Sequence, residues 1–101
     1  MAYRDEFPSF DFDVPDVVTC AWDFEDVSWR NDACPSFVCD VFVLWIDFAD
    51  PQRRERPEAP QFVIVCEGET LLATDQWADV RAFVEDGRRD FPGSLQPQEP
   101  K

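Results

Sequence analysis

The most informative feature of this sequence is what it lacks. It contains no histidine, a single lysine and only three glycines. Histidine is the commonest general base and metal ligand, so its absence removes the usual centre of acid–base chemistry. Gly68, Gly87 and Gly93 do not have the spacing of a P-loop or of a dinucleotide-binding motif, and no G-x-S-x-G nucleophile motif occurs. The sequence therefore predicts a protein that is not an enzyme and carries no cofactor.

Long apolar runs are also absent. The longest run, Val41 to Ile46, has the length of a strand, whereas a membrane span needs about 20 apolar residues. The first twelve residues include Asp5, Glu6 and Asp11 and contain no stretch that resembles the apolar part of a signal peptide. We therefore expect a cytoplasmic protein without membrane contact.

The candidates for metal ligands are few. Of the four cysteines, only Cys34 and Cys39 lie close together, and a zinc site built from thiolates requires closely spaced pairs. In a cytoplasmic chain we expect these thiols to be reduced. Asp11, Asp13 and Asp16 lack the central glycine and closing glutamate of a calcium-binding loop. No metal site is predicted.

What the chain has in excess is negative charge. Asp and Glu number 22 against nine Lys and Arg, which gives a net charge of −13. Residues 1–50 hold 12 of the acids and two of the bases, and the clearest basic patch is the loop that contains Arg53, Arg54 and Arg56. A charge of this sign and size opposes direct binding to nucleic acid or to an anionic membrane and steers basic partners toward the protein.

The hydrophobic pattern predicts one α+β domain. A chain of 101 residues is long enough for a single compact domain. We expect an irregular or edge segment at 1–16, a domain at 17–89 and a disordered tail at 90–101. Apolar runs and alternation predict strands at 17–27, 37–48, 61–66 and 69–73. The 37–48 run is apolar on both faces, as in a central strand.

A helix is expected after the fourth strand. Trp77, Val80, Phe83 and Val84 form an apolar stripe with helical spacing over 75–86, and Gly87 favours a stop there. Short connections favour neighbouring antiparallel strands. The predicted fold is a four-stranded antiparallel meander sheet with one C-terminal helix packed on one face.

The spacing of the acids suggests a binding surface. In a strand, residues two apart lie about 6.6 Å apart on the same face, a distance comparable to that between neighbouring phosphates of one nucleic-acid strand. Asp11 and Asp13 have this spacing, as do Asp23 and Glu25. The alternative is an ordinary solvated sheet face. Further carboxylates that can extend a negative surface are Asp26, Asp32, Asp40 and Asp47.

One aromatic residue is a candidate anchor for a partner. Trp29 lies beside Arg30 in the turn-rich segment 28–36, and Trp and Arg are enriched at interface hot spots. The alternative is that Trp29 packs over the end of the sheet. The other three tryptophans fall inside predicted elements, where core positions are expected.

A short acidic β-meander with one helix resembles the small inhibitor proteins of phages and mobile elements, including anti-CRISPR proteins and DNA mimics. The resemblance covers the general character of the chain and no diagnostic motif. It implies a phage protein in the host bacterial cytoplasm, a monomer or dimer, that occludes the nucleic-acid-binding surface of a defence complex. The partner is then a basic nucleic-acid-binding protein or ribonucleoprotein complex. The alternative is an immunity protein that neutralises a basic nuclease toxin. The expected partner-binding residues are Asp11, Asp13, Asp16, Asp23, Glu25, Asp26 and Trp29.

Overall fold

The computed structural model of the chain describes the backbone of residues 3–90 and the side chains of residues 3–86. Seven regular elements follow one another, with 3₁₀ turns at Asp16–Val18 and Pro51–Arg53. The elements are α1 Tyr3–Glu6, β1 Glu25–Asp26, β2 Ser36–Cys39, β3 Phe42–Ile46, β4 Phe62–Cys66, β5 Glu69–Thr74 and α2 Trp77–Asp90. The predicted tail, 90–101, lies outside the described residues except for Asp90, the last residue of α2.

The strands form one antiparallel sheet in which each strand pairs with its neighbour in sequence, in the order β1-β2-β3-β4-β5. The α+β class and the meander are therefore confirmed, but the sheet has five strands, and α2 contacts β5. Between the strands predicted at 61–66 and 69–73, Glu67 and Gly68 form a two-residue turn in which both residues have a positive φ, 51° and 86°. A two-residue turn of this kind matches the right-handed twist of the strands that it joins.

The predicted strand at 37–48 is wrong, because the chain reverses in its middle. Cys39 pairs with Phe42, so Asp40 and Val41 form a two-residue turn between β2 and β3, and Asp40 has a φ of 55°. Asp is one of the few non-glycine residues that visit this left-handed region readily. Uninterrupted apolar character on both sides of the turn concealed the hairpin.

The predicted strand at 17–27 is also wrong over most of its length, since only Glu25–Asp26 pairs with β2. Residues 16–24 form a compact loop in which the N–H of Trp22 donates to the carbonyl of Val17 (2.8 Å) and the N–H of Phe24 to that of Val18 (2.9 Å). Val18, Trp22 and Phe24 are buried. The loop reproduces most of the alternation of a strand because its apolar side chains still turn toward one core.

The N-terminal segment, predicted as irregular or as an edge, has no strand among residues 3–16 and contributes to the core. Phe7 and Phe10 are buried, and the Tyr3 ring packs edge-on against Phe10 and Phe37. Aromatic side chains remove a large apolar area from water. The segment is thus held on the sheet by its rings.

The core lies between one face of the sheet, the N-terminal segment and α2. The fully buried side chains on the sheet include Phe37, Leu44, Ile46, Phe62 and Ile64. From α2, the buried Val80 and Val84 join the same cluster, as the apolar stripe predicted. The helix continues through Gly87, contrary to the predicted stop; a glycine inside a helix costs only about 1 kcal/mol.

The loop between β3 and β4 is organised by one buried cation. The side chain of Arg54 is 6% exposed and donates to the carbonyls of Phe48 (2.7 Å), Ala59 (2.7 Å) and Ala49 (3.1 Å). Its Nη1 also lies 3.4 Å from Asp75. The predicted basic patch is therefore used in part to hold the protein's own backbone.

Candidate functional site: an acidic rim at one end of the sheet

The register of the strands brings five carboxylates to the same end of the sheet. The β2–β3 turn and the β4–β5 turn are neighbours, because Phe42 pairs with Cys66 and each residue borders one of the turns. Glu25 of β1 pairs with Val38, near the β2–β3 turn. The residues that form this acidic rim are Asp23, Glu25, Asp40, Glu67 and Glu69.

The acidic rim spans the full width of the sheet. Neighbouring strands lie about 4.8 Å apart, so the distance from β1 to β5 is about 19 Å. All five residues are exposed. Because the strand register fixes the backbone positions of these residues, their carboxylates are clustered at one end of the sheet.

No described arginine neutralises the acidic rim. Each of the six arginines whose side chains are described pairs with a different carboxylate. The pairs are Arg4–Asp13, Arg30–Glu6, Arg53–Asp11, Arg54–Asp75, Arg56–Glu58 and Arg81–Glu85. The field of the acidic rim therefore extends into solvent without a described counter-charge beside it.

The carboxylates of the acidic rim also affect the pKa of a neighbouring thiol. The pKa of Cys66, the last residue of β4, is raised, first by burial and then by the negative charges of Glu67 and Glu69. A nearby like charge disfavours the thiolate. Cys20, Cys34, Cys39 and Cys66 are all free thiols, and burial raises the pKa of Cys34 to about 12.

Asp23 and Glu25 are the two predicted binding residues that the structure places in the acidic rim. They do not form the regular strand spacing that the sequence suggested, because Asp23 precedes β1 and has a φ of 60°. Asp16 is exposed in the first 3₁₀ turn. The predicted row of carboxylates is thus not a single strand face.

Asp11, Asp13 and Asp26 contribute to the protein's own structure. The carboxylate of Asp11 accepts from the N–H groups of Ala49 (2.7 Å) and Asp50 (2.9 Å), and its side chain is 24% exposed. That of Asp13 pairs with Arg4. The Asp26 carboxylate accepts from the N–H groups of Tyr3 (2.6 Å) and Ser28 (3.1 Å). The Asp11 and Asp26 carboxylates tie the N-terminal segment to the β3–β4 loop and to β1, whereas the Asp13–Arg4 pair lies within the segment.

Trp29 is 47% exposed but does not belong to the acidic rim. The chain runs from Asp23 at the rim through β1 to Val27, whose N–H donates to the carbonyl of Ser36. Trp29 therefore lies toward the opposite end of β1. Its neighbour Arg30 is held by Glu6, which accepts from the Arg30 backbone N–H and Nε, each at 3.1 Å.

The sequence predicted part of the acidic rim. Asp40 is predicted there as an extension of the negative surface, but on a long strand and not in a turn, and Asp47, predicted with it, is half-buried with a pKa raised by burial. Glu67 and Glu69 lie where the strands predicted at 61–66 and 69–73 meet, and the sequence did not mark them as a site. Gly68 was the available signal, because a turn there ends β4 at Cys66, which pairs with Phe42 beside the β2–β3 turn.

No family model matches this chain. A search of curated proteins and a search of solved structures also give no match. Within residues 3–90, no group of three or more Cys, Asp or Glu side chains is arranged to hold a metal ion, and no helix is both long and apolar enough to span a bilayer.

Removal of the Asp11 carboxylate is expected to loosen the N-terminal segment. The Asp11→Ala variant loses two charge-assisted hydrogen bonds and should lower the free energy of unfolding by about 1.5–3 kcal/mol at pH 7. Burial alone would raise the pKa of Asp11, but the N–H groups of Asp50 and Ala49 and the charge of Arg53 outweigh it, so the pKa is lowered from 3.8.

The pH dependence follows from the lowered pKa. A depressed folded-state pKa gives a stabilisation that is complete above the ordinary value and is lost as the pH falls through the folded-state pKa. The difference between the wild type and Asp11→Ala should therefore shrink below pH 3.8. Urea unfolding followed by tryptophan fluorescence measures it. Asp13→Ala, at a side chain 94% exposed, should be nearly neutral, and an equal loss in both variants contradicts the anchoring role.

Proposed function

We propose that this protein is an inhibitor that binds and occludes the nucleic-acid-binding surface of a bacterial defence complex, in the manner of an anti-CRISPR protein or DNA mimic. The observation that carries the proposal is the acidic rim, five exposed carboxylates at one end of the sheet with no described arginine paired to them. A groove lined by lysine and arginine normally holds phosphates, and a cluster of carboxylates meets the same charges.

The overall charge supports a protein partner. At −13, the chain is repelled by DNA and RNA and attracted to the basic proteins that bind them. Electrostatic complementarity acts mainly on the rate of association and on specificity. The inhibitor therefore acts by occupying the groove, without turnover.

The experiment measures DNA binding by purified RNA-guided surveillance complexes in the presence of the protein. We expect at least one complex to lose DNA binding when the protein is added in slight excess. The probe set includes a sequence-nonspecific nuclease of high basic charge. Inhibition of that nuclease alone would replace the proposal with the immunity function, and no effect on any probe would contradict both.

A charge-matched pair of variants tests the location of the surface. Asp23→Asn with Glu25→Gln removes two charges from the acidic rim, and asparagine accepts the positive φ of position 23. We expect association with the inhibited complex to slow about 10-fold at low salt and less at high salt. Glu55→Gln with Glu58→Gln removes the same charge from the β3–β4 loop and should leave the rate nearly unchanged. Equal effects of the two pairs contradict a role specific to the acidic rim.

A further inference from the structure

The sheet has a second apolar face that the core does not use. Side chains alternate along a strand, so Leu44 and Ile46 enter the core while their neighbours in β3 point to the other side. The strand pairing aligns Val38 with Val43 and Val43 with Val65, and Trp45 with Val63. The residues of this outer face are Val38, Val43, Trp45, Val63 and Val65.

The side chains of the outer face lie outside the described core. All five of its side chains are half-buried, and none belongs to the core cluster or to the partly buried side chains packed against it. The described elements that cover the sheet, the N-terminal segment and α2, join the core through Phe7, Phe10, Val80 and Val84. On this face Trp45, the fourth residue of β3, lies between Ser36 of β2 and Val63 of β4, and Ser36 is buried.

Among the described residues the outer face forms a contiguous apolar patch outside the core, and patches of this kind often mark contact sites. The composition resembles that of an interface core, in which charged residues are depleted and aromatic residues are enriched. Asp40 in the β2–β3 turn and Glu67 in the β4–β5 turn border this face at one end. Val41, beside Asp40, is itself 47% exposed.

The negative charge of the protein determines which partner can bind the outer face. A second copy would bring another chain of −13 and another acidic rim toward the same surface, and like charges brought together at an interface cost several kcal/mol. A partner that presents an apolar patch bordered by arginine and lysine matches both parts of the surface. Its apolar patch buries the valines and Trp45, and its basic border faces the carboxylates of the acidic rim.

We propose that the outer face and the acidic rim form one continuous docking surface for a protein partner, with Trp45 as its central anchor. The partner presents an apolar patch bordered by basic side chains. The inference rests on the proposed function and deepens it, because it assigns the affinity to apolar contacts and the association rate to the carboxylates. Large buried aromatic side chains at the centre of an interface carry most of the binding energy, and surrounding charges contribute less.

The test uses two synthetic peptides of equal positive charge. One alternates leucine with arginine, and the other has serine in place of leucine. Backbone and indole N–H resonances of the full-length protein are followed by NMR during titration. We expect the leucine peptide to perturb β3, β4 and the Trp45 indole as well as the acidic rim, and the serine peptide to perturb the acidic rim alone.

Variants separate the two parts of the surface. Trp45→Thr should weaken binding of the leucine peptide by about 10- to 30-fold, as expected for a hot-spot anchor, and leave the serine peptide unchanged. Val43→Thr with Val65→Thr keeps the β-branched shape and should weaken the leucine peptide in the same direction, so the test does not depend on one variant. Ala78→Ser, at an exposed position of α2, is the matched control.

Several results would overturn the docking surface. These are an unchanged leucine-peptide affinity in both outer-face variants, peptide shifts confined to another surface, and a stable dimer of the free protein that dissociates in Trp45→Thr. Failure to inhibit any surveillance complex, combined with leucine-peptide binding at the outer face, overturns the proposed function and leaves the docking surface standing.

Discussion

Replacement of Arg54 by methionine is expected to destabilise the protein by about 3–5 kcal/mol, because three carbonyls lose their donor. Methionine keeps an apolar stem of similar length but removes the guanidinium that donates to the carbonyls of Phe48, Ala49 and Ala59. Each acceptor left buried without a donor costs about 1–3 kcal/mol. The ion pair with Asp75 adds little, because the side chain of Asp75 is 62% exposed and solvent screens the pair.

Urea unfolding at neutral pH measures the loss. Arg56→Met is the matched control, because the side chain of Arg56 is 72% exposed and pairs only with the exposed Glu58, an arrangement worth less than about 1 kcal/mol. Arg54→Lys tests the geometry, since an ammonium cannot reproduce the planar fork of donors. Arg54→Met and Arg56→Met of equal stability would show that the loop does not depend on the buried cation.

Replacement of Phe62 by alanine is expected to have an effect of similar size, about 3–5 kcal/mol. Phe62 is 1% exposed, and its ring centroid lies 5.4 Å from that of Phe12 and 5.4 Å from that of Trp77. It therefore joins three parts of the chain: β4, the N-terminal segment and α2. Truncation leaves a cavity at the point where these parts meet.

The adjacent residue gives the control. Val63 lies next to Phe62 but on the outer face, so Val63→Thr should cost less than about 1 kcal/mol, because the hydroxyl can remain hydrated. Thermal unfolding of both variants measures the contrast. A large loss in Val63→Thr would mean that the outer face is covered in the free protein, and a small loss in Phe62→Ala would contradict its place at the centre of the core.

The pattern of apolar residues correctly predicted the strands that are separated by a turn-forming residue. Glu67–Gly68 contains the residue that a tight turn favours, and β4 and β5 were located on either side of it. The β2–β3 turn at Asp40–Val41 contains no glycine, proline or asparagine, and a single aspartate between two apolar runs did not mark it. A single strand over 37–48 would place Phe37 and Leu44 on opposite faces, whereas the hairpin brings both into the core.

The candidate site was less predictable than the fold, because it depends on which turns become neighbours. Asp23 and Glu25 were singled out for their spacing, but their proximity to Asp40 comes from the β1–β2 register. Asp11 and Asp26 looked equivalent to them in sequence. Their carboxylates turn instead toward backbone N–H groups, contacts that link parts of the chain far apart in sequence and that no local pattern reveals.

The two borders of the sheet bear on how this chain avoids polymerising with itself. An edge strand has unpaired N–H and carbonyl groups that can pair with a strand of another molecule, and natural proteins limit this hazard with short or irregular edge strands. On one side, β1 has only two residues. On the other, the β4–β5 pairing shifts register between Ile64 and Val65, with Leu71 as the extra residue of β5. Neither border offers a long straight template, so a concentrated solution of this protein should resist the growth of fibrils even though one broad side of its sheet is apolar.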